Sequence, residues 1–208
     1  LAHRCTAAGA QVIIKALDVR DLEAVRTWIR GLSPDLLIVA AGVNTDVGPN
    51  ADGELWDSSR ALIQINVLAA MATVEAALPS MRLHQRGQIA IFSSLAAWRG
   101  LPMTPSYCAS KAAMKAYGES LRDCLAPRGI RVSVVVPGYV ESKMCNEMPG
   151  PKPLLCTPEK AARLIRRGLA KDRARISFPF PLNLGCWALG VIPATLSSRI
   201  LRCLGYGV

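Results

Sequence analysis

Apolar runs that alternate with helical patterns constrain the fold of this 208-residue chain more than any other feature. The runs at residues 36–40, 88–92 and 130–136 are short and apolar or β-branched, which is typical of strands in a parallel sheet. Residues 11–17 form a fourth such run, and residues 176–178 allow one more short strand. We therefore predict an α/β fold, a doubly wound parallel sheet.

Helical spacing of apolar residues fills the intervals between these runs. Helices are predicted from Asp21 to about residue 30, from residue 54 or 56 to about 83, over 105–125, and after an N-cap at Thr157 to about 170. The run at 36–40 is expected to be covered on both faces. We expect a single domain over residues 1–208, with 141–208 as a substrate flap and C-terminal helical extension.

Small, polar or turn-forming pairs stand at the carboxyl end of each main run. They are Asp18-Val19, Ala41-Gly42, Ser93-Ser94 and Pro137-Gly138. Ligands of doubly wound sheets bind beyond the carboxyl ends of the strands. We therefore expect these pairs to share one site.

Ser94, Tyr107 and Lys111 carry the strongest chemical signal. Tyr107 and Lys111 have i, i+4 spacing at the start of a helical pattern, which puts both side chains on one helix face. A lysine ammonium at that position can lower the pKa of the phenol. The phenol then transfers a proton near neutral pH, beside the hydroxyl of Ser94.

Ser94 followed by Tyr107-x-x-x-Lys111 resembles the catalytic signature of the short-chain dehydrogenase/reductase family, and the order of elements is similar from about residue 11 to 144. The resemblance implies a Rossmann-like fold and an NAD(P)-dependent oxidoreductase that interconverts a secondary alcohol and a carbonyl. It implies that Tyr107 is the general acid/base, that Lys111 lowers its pKa and holds the nicotinamide ribose, and that Ser94 hydrogen-bonds the substrate. The cofactor is NAD or NADP, with no choice between them.

Further residues match the family's pattern by position. Asn66, which by itself could cap or bend its helix, would bend it and hold a water that links Lys111 to solvent. The implied cofactor contacts are Asp18, Val19, Ala41, Gly42, Tyr107, Lys111, Pro137, Gly138, Val140 and Ser142.

The chain departs from the family where the cofactor's phosphates bind. The family opens with a strand, a glycine-rich turn and a helix that hold the pyrophosphate, whereas no G-x-G-x-x-G sequence occurs in these 208 residues. The family's Asn-Asn-Ala-Gly tetrad also loses both amides, to Val39 and Ala40. We expect an N-terminally truncated fragment with an exposed sheet edge at residues 36–40 and weak or absent dinucleotide binding.

The net charge of +10 indicates either a solvated basic surface or attraction to phosphate-bearing ligands or an anionic membrane. No zinc-finger or RNA-binding signature supports nucleic acid as a partner, and two histidines with scattered cysteines support no metal site. Seven cysteines without a C-x-x-C pair indicate a reducing cytoplasm.

Two alternatives to the enzyme stay open. A non-catalytic, cofactor-poor binding or scaffold protein of the same fold would account for the missing glycine-rich turn. A peripheral membrane protein would use the apolar residues 182–196 and the following Arg199 and Arg202, giving membrane contact through 182–202. We predict instead that this segment packs in the core or covers a small-molecule substrate. The two long helices permit a homodimer or homotetramer.

Overall fold

The computed structural model describes residues 2–48, 50–148 and 150–206. Its helices and strands are, in chain order, α1 Ala2–Ala7, α2 Leu22–Arg30, β1 Leu36–Val39, α3 Trp56–Ile63, α4 Ala70–His84, β2 Gly87–Phe92, α5 Pro105–Leu125, β3 Ile130–Pro137, α6 Lys143–Glu147, α7 Pro158–Ala170, β4 Arg175–Phe178, α8 Leu182–Val191 and α9 Ala194–Leu201. A 3₁₀ turn at Leu95–Ala97 and a π-helical turn at Gln64–Ala69 lie next to the site. The predicted helices are confirmed, including the N-cap at Thr157.

Four strands form one parallel sheet in the order β1-β2-β3-β4. In the register of the sheet, Ile91 of β2 lies beside Val39 of β1 and Val134 of β3. The predicted parallel α/β fold is therefore confirmed. The short strand expected at residues 176–178 is also present, as β4.

Successive residues of the central strands pack on opposite faces of the sheet, as strand geometry requires. Ile89, Ile91 and Val132 join the larger core cluster, which contains buried residues of α2, α4 and α5. Ala90 and Val135 join a second cluster with buried residues of α7. The sheet is thus the middle layer between α7 and the other three helices.

Helices α3 and α4 form one continuous helix, Trp56–His84, through the π-helical turn. By length and composition this helix could cross a membrane, but 50% of its most apolar window is buried inside the protein. Val74 and Leu78, for example, belong to the main core cluster. The helix therefore forms part of the core of this fold.

Residues 11–17 are not a strand, so that prediction is wrong. They have no regular secondary structure, and Ile13 and Ile14 are 75% and 73% exposed. A strand is completed by hydrogen bonds to a neighbour, and none of the described strands pairs with this run. Its β-branched composition is not sufficient in the absence of a partner.

Strand β1 is covered on one face only, which corrects the prediction that both faces are covered. Leu37 and Val39 are buried, whereas Leu36 and Ile38 are 45% and 51% exposed. The reason is that α7 packs over β2 to β4 and does not reach β1. Among the described strands β1 pairs only with β2, so the exposed edge is confirmed.

Candidate active site

The connection from β2 to α5 fixes the position of the catalytic candidates. The Ser93 hydroxyl, just after β2, donates a 2.7 Å hydrogen bond to the carbonyl oxygen of Lys111 in α5. Close contact between α5 and the sheet also depends on Gly118, where a Cβ would lie 2.6 Å from a methyl group of Val134. The end of β2 and the first turns of α5 are therefore held in a single relative position.

Glu54 holds the N-terminus of α5 from the opposite side. Its carboxylate accepts a 3.0 Å hydrogen bond from the Ser106 backbone N–H and another from the Ser106 hydroxyl. A carboxylate at a helix N-terminus also interacts favourably with the helix dipole. Sequence reasoning missed Glu54 because no local pattern relates it to α5.

Ser94 and Tyr107 lie together, as predicted. Both side chains line the same cavity, and Tyr107 is only 9% exposed. Burial raises the pKa of Tyr107 to about 12, while the neighbouring Ser94 hydroxyl lowers it in part. The phenol is therefore protonated at neutral pH and can donate its proton to an acceptor.

Lys111 lies one helical turn from Tyr107 and is also buried. Its Nζ donates a 3.2 Å hydrogen bond to the carbonyl oxygen of Phe92 and lies 5.5 Å from the centroid of the Tyr107 ring. Burial lowers the pKa of Lys111 to about 8, because a buried ammonium loses hydration. Burial of the phenol has the largest effect on the pKa of Tyr107 in this structure, and the lowering of that pKa by Lys111 stays a prediction.

Asn66 lies in the π-helical turn, where the helix departs from regular α-helical geometry, and the predicted bend stays a prediction. Its Oδ1 accepts a 2.8 Å hydrogen bond from the Val43 N–H, and its Nδ2 donates to the Val43 carbonyl oxygen at 2.9 Å and to Ser110 Oγ at 3.1 Å. Asn66 therefore fixes the loop after β1 against α5. Its role in holding a water stays a prediction.

A cavity of about 870 Å³ lies at the carboxyl ends of the strands. Most of its lining side chains are apolar. The predicted site residues that line it are Gly42, Ser94, Tyr107, Lys111, Pro137, Gly138, Val140 and Ser142. The structure thus brings the Ser94–Tyr107–Lys111 set together with the predicted strand-end residues of β3.

Four predicted site residues, Asp18, Val19, Ala41 and Asn66, are not part of the lining of this cavity. Asp18 is exposed, and hydrogen bonds from Arg20 hold the pKa of Asp18 at about 2. Val19 packs against the main core cluster. The run before Asp18 and Val19 is not a strand of the sheet, and their role as adenine contacts stays a prediction.

Comparison with known proteins decides which family carries this arrangement. The model of the short chain dehydrogenase family matches residues 1–151. The chain belongs to the short-chain dehydrogenase family. Two of its relatives are uncharacterized oxidoreductases: one from Myxococcus xanthus, 35% identical over 98% of this chain and 82% of the relative, and one from Mycobacterium tuberculosis, 37% identical over 91% and 76%.

Solved short-chain dehydrogenases have the same fold. One from Burkholderia cenocepacia, in complex with NADP, is 25% identical with a TM-score of 0.78 and covers 94% of this chain and 82% of its own. Another, from Sphingobium yanoikuyae in complex with NADPH, has a TM-score of 0.80 over 97% of this chain and 80% of its own; at 20% identity this likeness concerns the fold alone. The Rossmann-like fold is therefore confirmed.

The C-terminal helices of this short-chain dehydrogenase cover the cavity. Leu182, Cys186 and Leu189 of α8 line it, as do Leu201 of α9 and Tyr206 after it. The apolar segment at residues 182–196 is therefore two helices separated at Ile192-Pro193, with one side turned toward the cavity. Its apolar composition was the sequence signal for this cover, but composition alone does not tell which residues face inward.

The segment between α6 and α7 is hydrogen-bonded to the residues after α9 that line the cavity. The Tyr139 hydroxyl donates to the Tyr206 hydroxyl at 3.3 Å, and the Tyr206 hydroxyl donates to the carbonyl oxygen of Pro151 at 3.0 Å. This chain of bonds joins the end of β3, the predicted flap and the C-terminus. All three residues line the cavity.

Proposed function

We propose that this short-chain dehydrogenase interconverts a secondary alcohol and a carbonyl compound by NAD(P)-dependent hydride transfer, with Tyr107 as the general acid/base. The observation that carries the proposal is the position of Ser94 and the buried Tyr107 on the wall of one cavity. Lys111 lies one turn from Tyr107 on the same wall. Hydroxyl groups in this arrangement suit proton transfer to and from a carbonyl oxygen.

The residues present fit the nicotinamide end of the cofactor. Lys111 has three N–H donors and gives one to Phe92, which leaves two for the ribose hydroxyls. A Cβ at Gly42 would lie 3.3 Å from Asn66 Oδ1 and 3.5 Å from Lys111 Nζ, so glycine keeps the space beside both groups open. The NADP bound to the solved dehydrogenase from Burkholderia cenocepacia supports this assignment. We assign no residues to the adenine end.

The chain's own residues supply the acid-base part of the reaction, while a bound nicotinamide supplies the hydride. In the direction of reduction, Tyr107 donates its phenolic proton to the carbonyl oxygen of the substrate. The Ser94 hydroxyl hydrogen-bonds the same oxygen and orients it. The Lys111 ammonium stabilises the phenolate that Tyr107 becomes, because opposite charges attract strongly in a buried site.

Replacement of Tyr107 by phenylalanine tests this function. We expect Tyr107→Phe to lower the rate of NADPH oxidation with a panel of ketones by about 10²–10⁴-fold, since it removes the proton donor. The rate is measured from the absorbance of NADPH. The cofactor is supplied at millimolar concentration because its binding is expected to be weak. Tyr117→Phe is the matched control, because Tyr117 lies on the same helix and its hydroxyl contacts Glu75 rather than the cavity. Turnover by Tyr107→Phe within tenfold of the wild type would contradict the proposal.

Contact with a membrane surface is a second candidate, favoured by the outer face of α8. Leu184, Trp187 and Val191 recur at helical spacing and are 54%, 45% and 62% exposed. We expect sedimentation with vesicles that contain anionic lipid, reduced by Trp187→Gln and unchanged by Trp56→Gln, a tryptophan 76% exposed on α3. Equal recovery with and without vesicles would rule this candidate out.

A further inference from the structure

A second cavity of about 610 Å³ adjoins the catalytic cavity. The two share the lining residues Ala96, Arg99, Leu101 and Leu201. Arg99 is the charged side chain among them, and it follows Ser94 closely in the connection between β2 and α5. A ligand that reaches from one cavity into the other therefore passes Arg99.

The Arg99 side chain is held in place by α9. Its Nε donates to Ser197 Oγ at 2.8 Å and its Nη2 donates to Ser198 Oγ at 2.9 Å, while its Nη1 makes a 3.3 Å contact with the carbonyl oxygen of Gly100. Ser197 is fully buried, so this anchor is rigid. A guanidinium has five N–H donors, and two remain for a ligand.

The charge of Arg99 has no partner in the part of the chain that the structure describes. Within residues 2–48, 50–148 and 150–206 no carboxylate lies within 4.0 Å of its guanidinium. The second cavity is also lined by Arg202 and the Ser198 side chain, and its lining includes no Asp or Glu. Two arginines without an acid favour an anion at this position.

We propose that Arg99, assisted by Arg202, binds the anionic group of an amphiphilic ligand whose apolar chain occupies the catalytic cavity. The anionic group is a carboxylate or a phosphate, both of which accept paired N–H donors from a guanidinium. The identification of this ligand as the substrate rests on the proposed function. In that case its carbonyl or hydroxyl group lies at Ser94 and Tyr107. A medium-chain oxo-acid or hydroxy-acid has the required combination.

Calorimetric titration of the full chain without cofactor tests the site through binding alone. The probes are decanoate, decyl phosphate and decan-1-ol, which share an apolar chain and differ in the head group. We expect Arg99→Gln to weaken binding of the preferred anion about tenfold, since a hydrogen bond to a charged group is lost, and to leave decanol binding unchanged. Arg128→Gln, an exposed arginine just after α5, is the matched control and retains wild-type affinity.

Equal affinity of the wild type for decanol and both anions, or of Arg99→Gln and the wild type for the anions, would overturn the proposal. If Arg99→Gln lowers the unfolding temperature, the exposed Arg202→Gln replaces it, with an expected loss of about threefold. A weaker affinity of Arg99→Gln for NADPH but not for decanoate would assign Arg99 to the cofactor and also overturn it. If the wild type turned over no ketone but still bound decanoate in a way that depends on Arg99, the proposed function would be refuted. The proposed binding site would then still stand.

Discussion

The centre of the sheet and its β1 side have similar sequences but different structures. Ile89 and Ile91 in β2 are fully buried between two neighbouring strands, whereas Ile13 and Ile14 in the run at 11–17 are mostly exposed and unpaired with any described strand. Both runs are rich in β-branched or apolar residues. The difference teaches that the neighbours on either side, rather than the composition of the run, produce a strand in this fold.

The same difference separates two parts of the predicted site. Ser94, Tyr107 and Lys111 follow from β2, which is paired on both sides, and from α5, which packs on the sheet, and they converge on one cavity. Asp18 and Val19 follow the unpaired run and do not line that cavity. The position of a site residue is therefore only as well defined as the strand or helix that carries it.

Truncation of one isoleucine in each region gives the largest expected contrast. Ile89→Ala should lower the free energy of unfolding by about 4 kcal/mol, because it leaves a cavity in a fully buried position. Ile14→Ala should change it by less than about 0.5 kcal/mol, because Ile14 is mostly exposed. Urea denaturation followed by circular dichroism measures both. A loss above about 2 kcal/mol for Ile14→Ala would mean that the run at 11–17 packs against a partner in solution.

Lys111 offers a smaller contrast that depends on pH. Its folded pKa is lowered from 10.5 to about 8, so the unfolded chain binds the extra proton between these values. Lys111 should therefore add about 3 kcal/mol to the free energy of unfolding as the pH rises from about 8 to 10.5. This contribution is measured as the difference between the wild type and Lys111→Met, because burial raises the pKa of the Cys108, Cys145 and Cys186 thiols, which act in the opposite direction. Lys111→Met should lack the rise.

Lys115 provides the control for this measurement on the same helix. Its Nζ lies 2.9 Å from the Glu119 carboxylate and 4.4 Å from the ring centroid of Trp98, so an opposite charge compensates its partial burial. Lys115→Met should keep the rise with pH. A difference between the wild type and Lys111→Met that does not change between pH 8 and 10 would show that the Lys111 ammonium is well solvated or paired, contrary to its position in the structure.

Several parts of the fold could be predicted because their signals are local. Helix α5 begins at Pro105 and ends at Leu125, within the predicted bounds, and Thr157 caps α7 through its hydroxyl. The i, i+4 spacing of Tyr107 and Lys111 depends only on helix geometry. These features follow from hydrogen bonds and side-chain directions within a few residues of each other.

Features that depend on distant partners could not be predicted. The exposure of Leu36 and Ile38 depends on how far α7 reaches across the sheet, which no pattern in β1 encodes. No local sequence pattern marks Arg99 as a site residue, because the serines that orient it lie almost 100 residues later, in α9. The raised pKa of Tyr107 depends on burial, which is a property of the whole fold.

The π-helical turn at Gln64–Ala69 makes the number of residues in the long helix as important as their identity. Each residue of an α-helix turns the chain by about 100°, so a regular helix with one residue fewer would rotate α4 relative to α3. Leu62 and Val74, on either side of the turn, are both fully buried, and such a rotation would expose one of them. The wider turn keeps both in the core while Asn66 faces the loop after β1. The number of residues between Leu62 and Val74 therefore determines which side chains are buried, independently of the identity of any single residue.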